Sequence, residues 1–341
     1  MLFKAKYLSI SLVAVIALTG CTSIIRNIKN PVIPVPIEKN VLSGRDGVNG
    51  PVLVVKIDDT SSAHPQIGLE DADVVYIEQV EGGLTRLAAI FSSVIPTRIG
   101  PVRSARISDI EIMAQYGRVA FAYSGARRSL LSVIAAANLQ NLGAQSQSPT
   151  IYTNDVTRRQ PHAMVLRADL LMQRVIDKDY TVDLAKSVGW NFGDTQLQGV
   201  EISRATVHWP AATYGVVWSS LEKRWHLTHN NDPNLSDLGR VLGPTTFVIQ
   251  IISITPSEYG DKFGGVTPFS NTIGNGSGYI LRDGKSFTAR WSRLSPELGT
   301  TWTSLDGSEI AFAPGQVWVA LTGGEPDFTL IPKKAAPVPT K

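Results

Sequence analysis

Cysteine is nearly missing from this chain: one residue, Cys21, stands among 341. No disulfide framework can therefore hold the fold, and thiol chemistry is excluded everywhere beyond that position. Long apolar runs are also missing. The longest, Leu8 to Leu18, falls well short of the about 20 residues that cross a bilayer as a helix. Charge is scarce at 18%, and the formal excess of +3 is concentrated at the two ends. Setting aside Lys4 and Lys6, the basic stretch before residue 41 and the lysines after 330 leaves the body mildly acidic. An acidic body argues against nucleic acid as a partner, because that ligand calls for a basic face. Familiar ligand signatures fail too. No Gly-x-x-x-x-Gly-Lys phosphate loop occurs, and Gly274-Asn275-Gly276-Ser277-Gly278 lacks both the dinucleotide spacing and a following helix. His226 and His229 fall on a strand, where they point to opposite faces and make no zinc pair. Neither a cofactor nor a metal is expected.

What is present begins with an export pattern. Lys4 and Lys6 precede the apolar run, and Leu18-Thr19-Gly20-Cys21 matches the bacterial lipobox, in which the cysteine is acylated and becomes the mature N-terminus. The expectation is a signal peptide over 1–20, lipidation of Cys21, and a location on the extracytoplasmic face of the cell membrane. Residues 21–50 read as a linker, stiffened by Pro31, Pro34 and Pro36.

The densest stretch of charge and turn residues runs from Glu78 to Arg106. Ala72 to Val80 is β-branched and aromatic and predicts a buried strand; Gly82-Gly83 turns the chain, and Leu84 to Phe91 returns it. Alternation puts Glu78 on the face of Val74, Tyr76 and Val80, with Glu81 on the other. A buried ionised Glu needs a partner, and Arg86 across the hairpin is the expected one. After the break at Gly100-Pro101, the spacing of Arg103 and Arg106 places both at the start of a helix or on one face of it. Two readings stay open: a structural ion-pair network, or a site.

Around this stretch, Pro51 to Ile57 predicts a strand ending in Asp58-Asp59, and His64 falls on a loop. Ser108-x-x-Glu111 reads as a capping box. Val119 to Tyr123 is a further strand, followed by a helix running through Leu139 with Gly143 as its stop. Arg158, Arg159 and His162 share a loop, Thr150 to His162, where positioned polar groups more often serve function than packing. Asp169 to Lys178 predicts a closing helix. These elements form an N-terminal mixed α/β domain over 51–190. Beyond about Val200 helical periodicity stops, short strands follow one another, and all seven tryptophans lie between Trp190 and Trp318. That region, 200–330, predicts an antiparallel β domain, a sandwich or partly closed barrel, with a disordered tail over 331–341. The fold class is α+β. Core packing accounts for the tryptophans better than stacking on sugars.

The segments HPQIGLEDADVVYIEQVEGGLTRLAAIF and IGPVRSARISDIE resemble the YerB-like family of bacterial lipoproteins, which carries a two-part domain of unknown function. The family pattern is close to RPQ-x-GL-x-x-AD-x-VYE, EGG-x-TR and GPVRSAR. His64 stands here where Arg is usual, and Ile77 separates Tyr76 from Glu78, while the last two motifs are intact. The Pro-His end of the Thr150–His162 loop and the GSGYILRDGKSFTARW stretch also resemble the family. The resemblance implies an envelope location and names no activity.

Two functions are carried forward. One is a binding module for an anionic envelope ligand, such as a cell-wall polymer, or for an envelope protein, using Asp58, Glu81, Arg86, Arg103, Arg106, Arg159 and His162. The other is a hydrolase or transferase acting on envelope polymers, with Glu78, Glu81 and His162 as acid–base candidates. Glu78 and Glu81 on opposite faces disfavour a carboxylate pair flanking one bond, and crowded arginines push carboxylates the wrong way for an acid. Binding is the favoured reading.

Overall fold

The computed structural model describes residues 37–261 and 264–331. The lipobox, Cys21, most of the linker and the tail from 332 lie outside the described residues. No helix among those described is long and apolar enough to cross a membrane.

The first part of the chain alternates strands with three helices: β1 (Leu53–Asp58), β2 (Val74–Gln79), β3 (Thr85–Phe91), β4 (Arg98–Ile99), α1 (Ile107–Ala114), β5 (Val119–Ala122), α2 (Arg128–Ala136), β6 (Leu139–Asn141), β7 (Tyr152–Asn154), β8 (Met164–Arg167) and α3 (Ala168–Asp177). The second part is built of strands alone: β9 (Val200–Trp209), β10 (Ala212–Ser219), β11 (Arg224–His229), β12 (Asp232–Pro233), β13 (Thr246–Ile251), β14 (Ile254–Gly260), β15 (Val266–Ser270), β16 (Gly274–Arg282), β17 (Lys285–Arg293), β18 (Thr301–Thr303), β19 (Val317–Thr322) and β20 (Asp327–Leu330). An N-terminal α/β region followed by an antiparallel β region is the class that periodicity predicts. No barrel closes among the described residues.

One sheet runs through both parts, in the order β12-β11-β10-β9-β17-β16-β13-β19-β2-β3-β1-β5-β6. Its seam is β19, which pairs parallel with β13 on one side and with β2 on the other. Period-two alternation sorts side chains to its two faces. Leu53, Val55 and Ile57 pack with α3 and the β9–β11 hairpins, beside Leu171, Val207 and Trp225. Val52 and Val54 face the other way, onto Ile112, Met113 and Tyr116 from α1 and its end and Leu130 and Ile134 of α2. Six of the seven tryptophans are buried. Five of those indoles donate to protein oxygens, four backbone carbonyls and Gln316 Oε1. They are core, as packing predicts.

Several local expectations are corrected. Arg106, not Ser108, is the N-cap of α1, and the reciprocal bond comes from Asp109 Oδ2, which accepts from the Arg106 N–H at 2.7 Å. Ser108 and Glu111 instead accept from the Ser270 and Thr272 N–H groups. α2 ends at Ala136, and β6 follows beside β5 before Gly143 is reached. The β14–β15 hairpin and β20 were not foreseen.

Candidate functional site

The site is organised by the end of β1. Because β3 lies between β2 and β1, Arg86 is aligned with Glu78 on one side and Asp58 on the other. The expected Glu78–Arg86 pair does not form. Lys56, one turn of the pleat before Asp58, takes Glu78 Oε1 instead, and the same ammonium donates to Asp109 Oδ1 at 2.7 Å. All three groups are fully buried. Glu78 therefore faces α1 and lines no cleft. One lysine shared by two carboxylates leaves Glu78 Oε2 without a partner. Burial, opposed by Lys56 and reinforced by Asp109, pushes its carboxyl up to about 7.

Freed from Glu78, the Arg86 guanidinium donates to the Ser104 carbonyl at 3.0 Å. No carboxylate among the described residues makes an ion pair with it. Burial, then the charges of Arg106 and Arg103, lower its pKa to about 10. Arg103 lies in the extended segment before α1, its N–H bonded to the Lys56 carbonyl. Its Nε is ion-paired with Asp58 Oδ2 at 3.0 Å, outside hydrogen-bond geometry. Arg106 is spent more fully: Nε and Nη2 donate to Glu81 Oε2 at 2.9 and 2.7 Å, and Nη1 to the carbonyls of Ser104 and Ala105. Glu81 Oε1 accepts the Thr267 hydroxyl from β15. Burial pulls the Glu81 carboxyl upward, but Arg106 holds it below its ordinary value. Together with Thr85 and the exposed Arg127, which caps α2, Glu81, Arg86, Arg103 and Arg106 line a cleft of about 590 Å³. Asp261 lies at the same cleft.

Asp58, expected at the site, is fully buried and lines neither this cleft nor a second cavity, but its carboxylate touches Arg103 of the one and His162 of the other. Its Oδ2 accepts from His162 Nδ1 at 2.8 Å and its Oδ1 from the Thr60 N–H and hydroxyl, each at 3.2 Å. His162 and Arg159 line that second cavity, of about 740 Å³, with His64, Ser62 and Asp237. Arg158 is there too, but its donors go to Asp155 and the carbonyls of Ala63 and Pro65. The loop arginines are thus divided: Arg158 holds the fold and Arg159 is exposed.

Asp59, next along, is a centre that sequence reasoning passed over. It is buried, with Thr85, Tyr214 and Gln66 donating to it and His64 and His229 beside it. His229 and Tyr214 come from β11 and β10, far along the chain, so no spacing pattern could have announced them. Among the described residues this Asp–His–His group is the arrangement able to hold a metal ion.

Residues 42–181 match the N-terminal domain, and residues 205–319 the C-terminal domain, of DUF3048, a protein family of unknown function. The chain is 22% identical over 298 residues to YerB of Bacillus subtilis (strain 168), a protein whose name classes it among lipoproteins; the match covers 86% of each. The fold is similar to the crystal structure of YerB from Bacillus subtilis, with a TM-score of 0.73 at 18% identity, over 85% of this chain and 99% of that one.

Proposed function

The chain belongs to the DUF3048 family, and from that premise we propose that it is a lipid-anchored envelope protein that holds an anionic ligand in the arginine cleft. The lipoprotein relative supports the anchor, with Cys21 as the acylated residue and the extracytoplasmic face as the location. The observation that carries the binding reading is Arg86. A nine-tenths buried guanidinium with a carbonyl as its hydrogen-bond partner keeps donors and charge for a ligand. Arg103, ion-paired through its buried Nε with Asp58 at 3.0 Å, also lines the cleft, and Arg127 adds charge at the rim. Planar forks of this kind fit phosphate or carboxylate oxygens in pairs, so the ligand class is a phosphate- or carboxylate-bearing envelope polymer.

The test is calorimetric titration of the full chain with inorganic phosphate and with a glycerol-phosphate oligomer. Arg103→Ala is expected to weaken binding by roughly 1.5–3 kcal/mol, the scale of a hydrogen bond to a charged group, while the protein stays folded. Large destabilisation, with no anion binding by the unaltered protein, overturns the reading and leaves the stretch as scaffolding.

A second reading, an enzyme acting on envelope polymers, is favoured by one contact. Asp58 engages Nδ1 of His162, which orients the ring and leaves Nε2 as the nitrogen to carry a proton, as in a general base held by a carboxylate. Polymer cleavage that disappears in His162→Gln, with binding retained, replaces the binding reading by this one.

A further inference from the structure

Asp59 poses a problem of charge. Its carboxylate is essentially inaccessible to water, and no lysine or arginine among the described residues pairs with it. A buried ionised carboxylate without a cation is strongly unfavourable. The groups near enough to compensate it are two histidines. His64 Nε2 lies 3.3 Å from Asp59 Oδ1, and His229 Nε2 lies 3.9 Å from Oδ2. Either a proton on an imidazole or a bound cation can answer that charge.

The surroundings favour the cation. His64 Nδ1 is 3.1 Å from Asn234 Oδ1, an acceptor that seats a proton on Nδ1 and, in the neutral ring, leaves the lone pair on Nε2. That is the outer bond by which a metal-binding histidine is oriented. His229 is 95% buried, with 5% relative exposure, and its Nε2 has no hydrogen-bond partner although it faces Asp59. Thr85 and Tyr214 donate to the carboxylate at 2.6 and 2.7 Å and hold it in place. Gln66 Nε2 stands 3.1 Å from both Asp59 Oδ1 and His64 Nε2, while its Oε1 has no partner. Turning that amide over would bring Oε1 against two lone pairs, an arrangement that becomes favourable once a cation stands among them. The donor atoms of Asp59, His64 and His229 all lie within 4.8 Å of one another. Bonds of about 2.0–2.1 Å in a tetrahedral site put donors about 3.3 Å apart, which the Asp59–His64 distance already meets.

We propose that Asp59, His64 and His229 form a divalent metal site of the zinc class, with Gln66 Oε1 as the fourth ligand. Two imidazoles and a carboxylate suit Zn²⁺, whereas magnesium and calcium call for oxygen donors in larger number. The two rings are stacked at 4.5 Å between centroids and 19° between planes, so on binding they tilt to aim both Nε2 atoms at one point. The ion enters through the second cavity, which His64 lines. This inference is independent of the arginine cleft.

The experiment uses the full chain stripped with a chelator and titrated with Zn²⁺ by calorimetry, with Co²⁺ as a spectroscopic probe. Expected are one ion per chain, a rise in melting temperature with Zn²⁺ and none with Mg²⁺, and cobalt bands of four-coordinate nitrogen and oxygen ligation. His229→Gln and His64→Gln should each weaken Zn²⁺ at least tenfold. Absence of one-to-one uptake by the wild type overturns the proposal, as does Zn²⁺ affinity undiminished from wild type in both substituted proteins. If a substituted protein fails to melt cooperatively, the wild-type cobalt spectrum decides: weak six-coordinate bands overturn the site.

Discussion

Two clusters of charge share one face of the sheet. Lys56, Glu78 and Asp109 form the inner cluster, under α1; Arg86, Arg103, Arg106 and Glu81 form the outer one, at the end of β1. Composition does not tell them apart, since each is a handful of ionisable groups on apolar strands. Their environment does. The inner cluster is dry: one ammonium lies between two carboxylates, and a proton on Glu78, whose carboxyl burial pushes up to about 7, balances the remaining charge. The outer one borders a cleft and keeps a guanidinium that no carboxylate answers. An ion-pair network is scaffolding when its charges cancel in place and a site when they do not, and the sheet carries one of each within a few residues.

The widest separation between the clusters is expected from Lys56→Met. Removing the ammonium strands two buried carboxylates, and losing one member of a buried pair costs about 3–5 kcal/mol. Denaturant melts at neutral pH should show a loss of that size, with anion affinity of the remaining folded protein little changed. A loss under about 1 kcal/mol would mean that the inner cluster is hydrated, and the contrast would fail.

The acid–base behaviour of Glu78 sharpens the same contrast. The groups facing it are Lys56 on β1, Asp109 on α1, and more distantly Arg106; Arg86 lies opposite on β3. Its folded pKa of about 7 lies above its ordinary 4.5. The folded chain therefore binds the proton more tightly than the unfolded one across that window. Stability should fall as pH rises from 4.5 to about 7, by up to roughly 3 kcal/mol at 1.36 kcal/mol per unit, and then level off. Glu78→Gln keeps the shape and the acceptor to Lys56 without the titration. Stability against pH for this variant should lose the decline between 4.5 and 7. A decline that persists assigns the proton to another group.

How far the two clusters could be read beforehand follows from the reach of their contacts. The hairpin was legible because Gly82 and Gly83 both take positive φ, 71° and 73°, in a loop between two strands of regular alternation. The Glu78–Arg86 alignment was legible too, and the pairing drawn from it was wrong. Lys56 on β1 is aligned with Ala88, whose small side chain lets the lysine pass over β3 to Glu78. Nothing local to either residue records that crossing. The start of α1 was misplaced for a similar reason: Ser108 and Glu111 have the capping pattern but serve Ser270 and Thr272, at the end of β15 and just beyond it. At the outer cluster the arginines were visible as a group, whereas their division into spent and unspent guanidiniums depended on Glu81, which takes two donors of Arg106 and none of Arg86. Asp59 shows the limit most plainly. Its partners His229 and Tyr214 come from a different part of the sheet, and only the packing of β10 and β11 against the end of β1 brings them in.

The smallest expected effect tests the rim of the outer cluster. Arg127 caps α2 and is exposed, while Arg86 in the same cleft is buried. A charge in water is screened over about 10 Å at 0.1 M salt, so Arg127 attracts an anion on approach without holding it through a dry contact. Arg127→Ala should then lower affinity for inorganic phosphate only a few-fold, under about 1 kcal/mol, with the loss in the association rate. It should also flatten the dependence of binding on ionic strength. Stability should stay within about 0.5 kcal/mol, as for other surface changes away from buried networks. A loss as large as that of Arg103→Ala, appearing in the dissociation rate, would place Arg127 among the groups that close on the ligand. The cleft would then be deeper in its bound state than the free protein makes it.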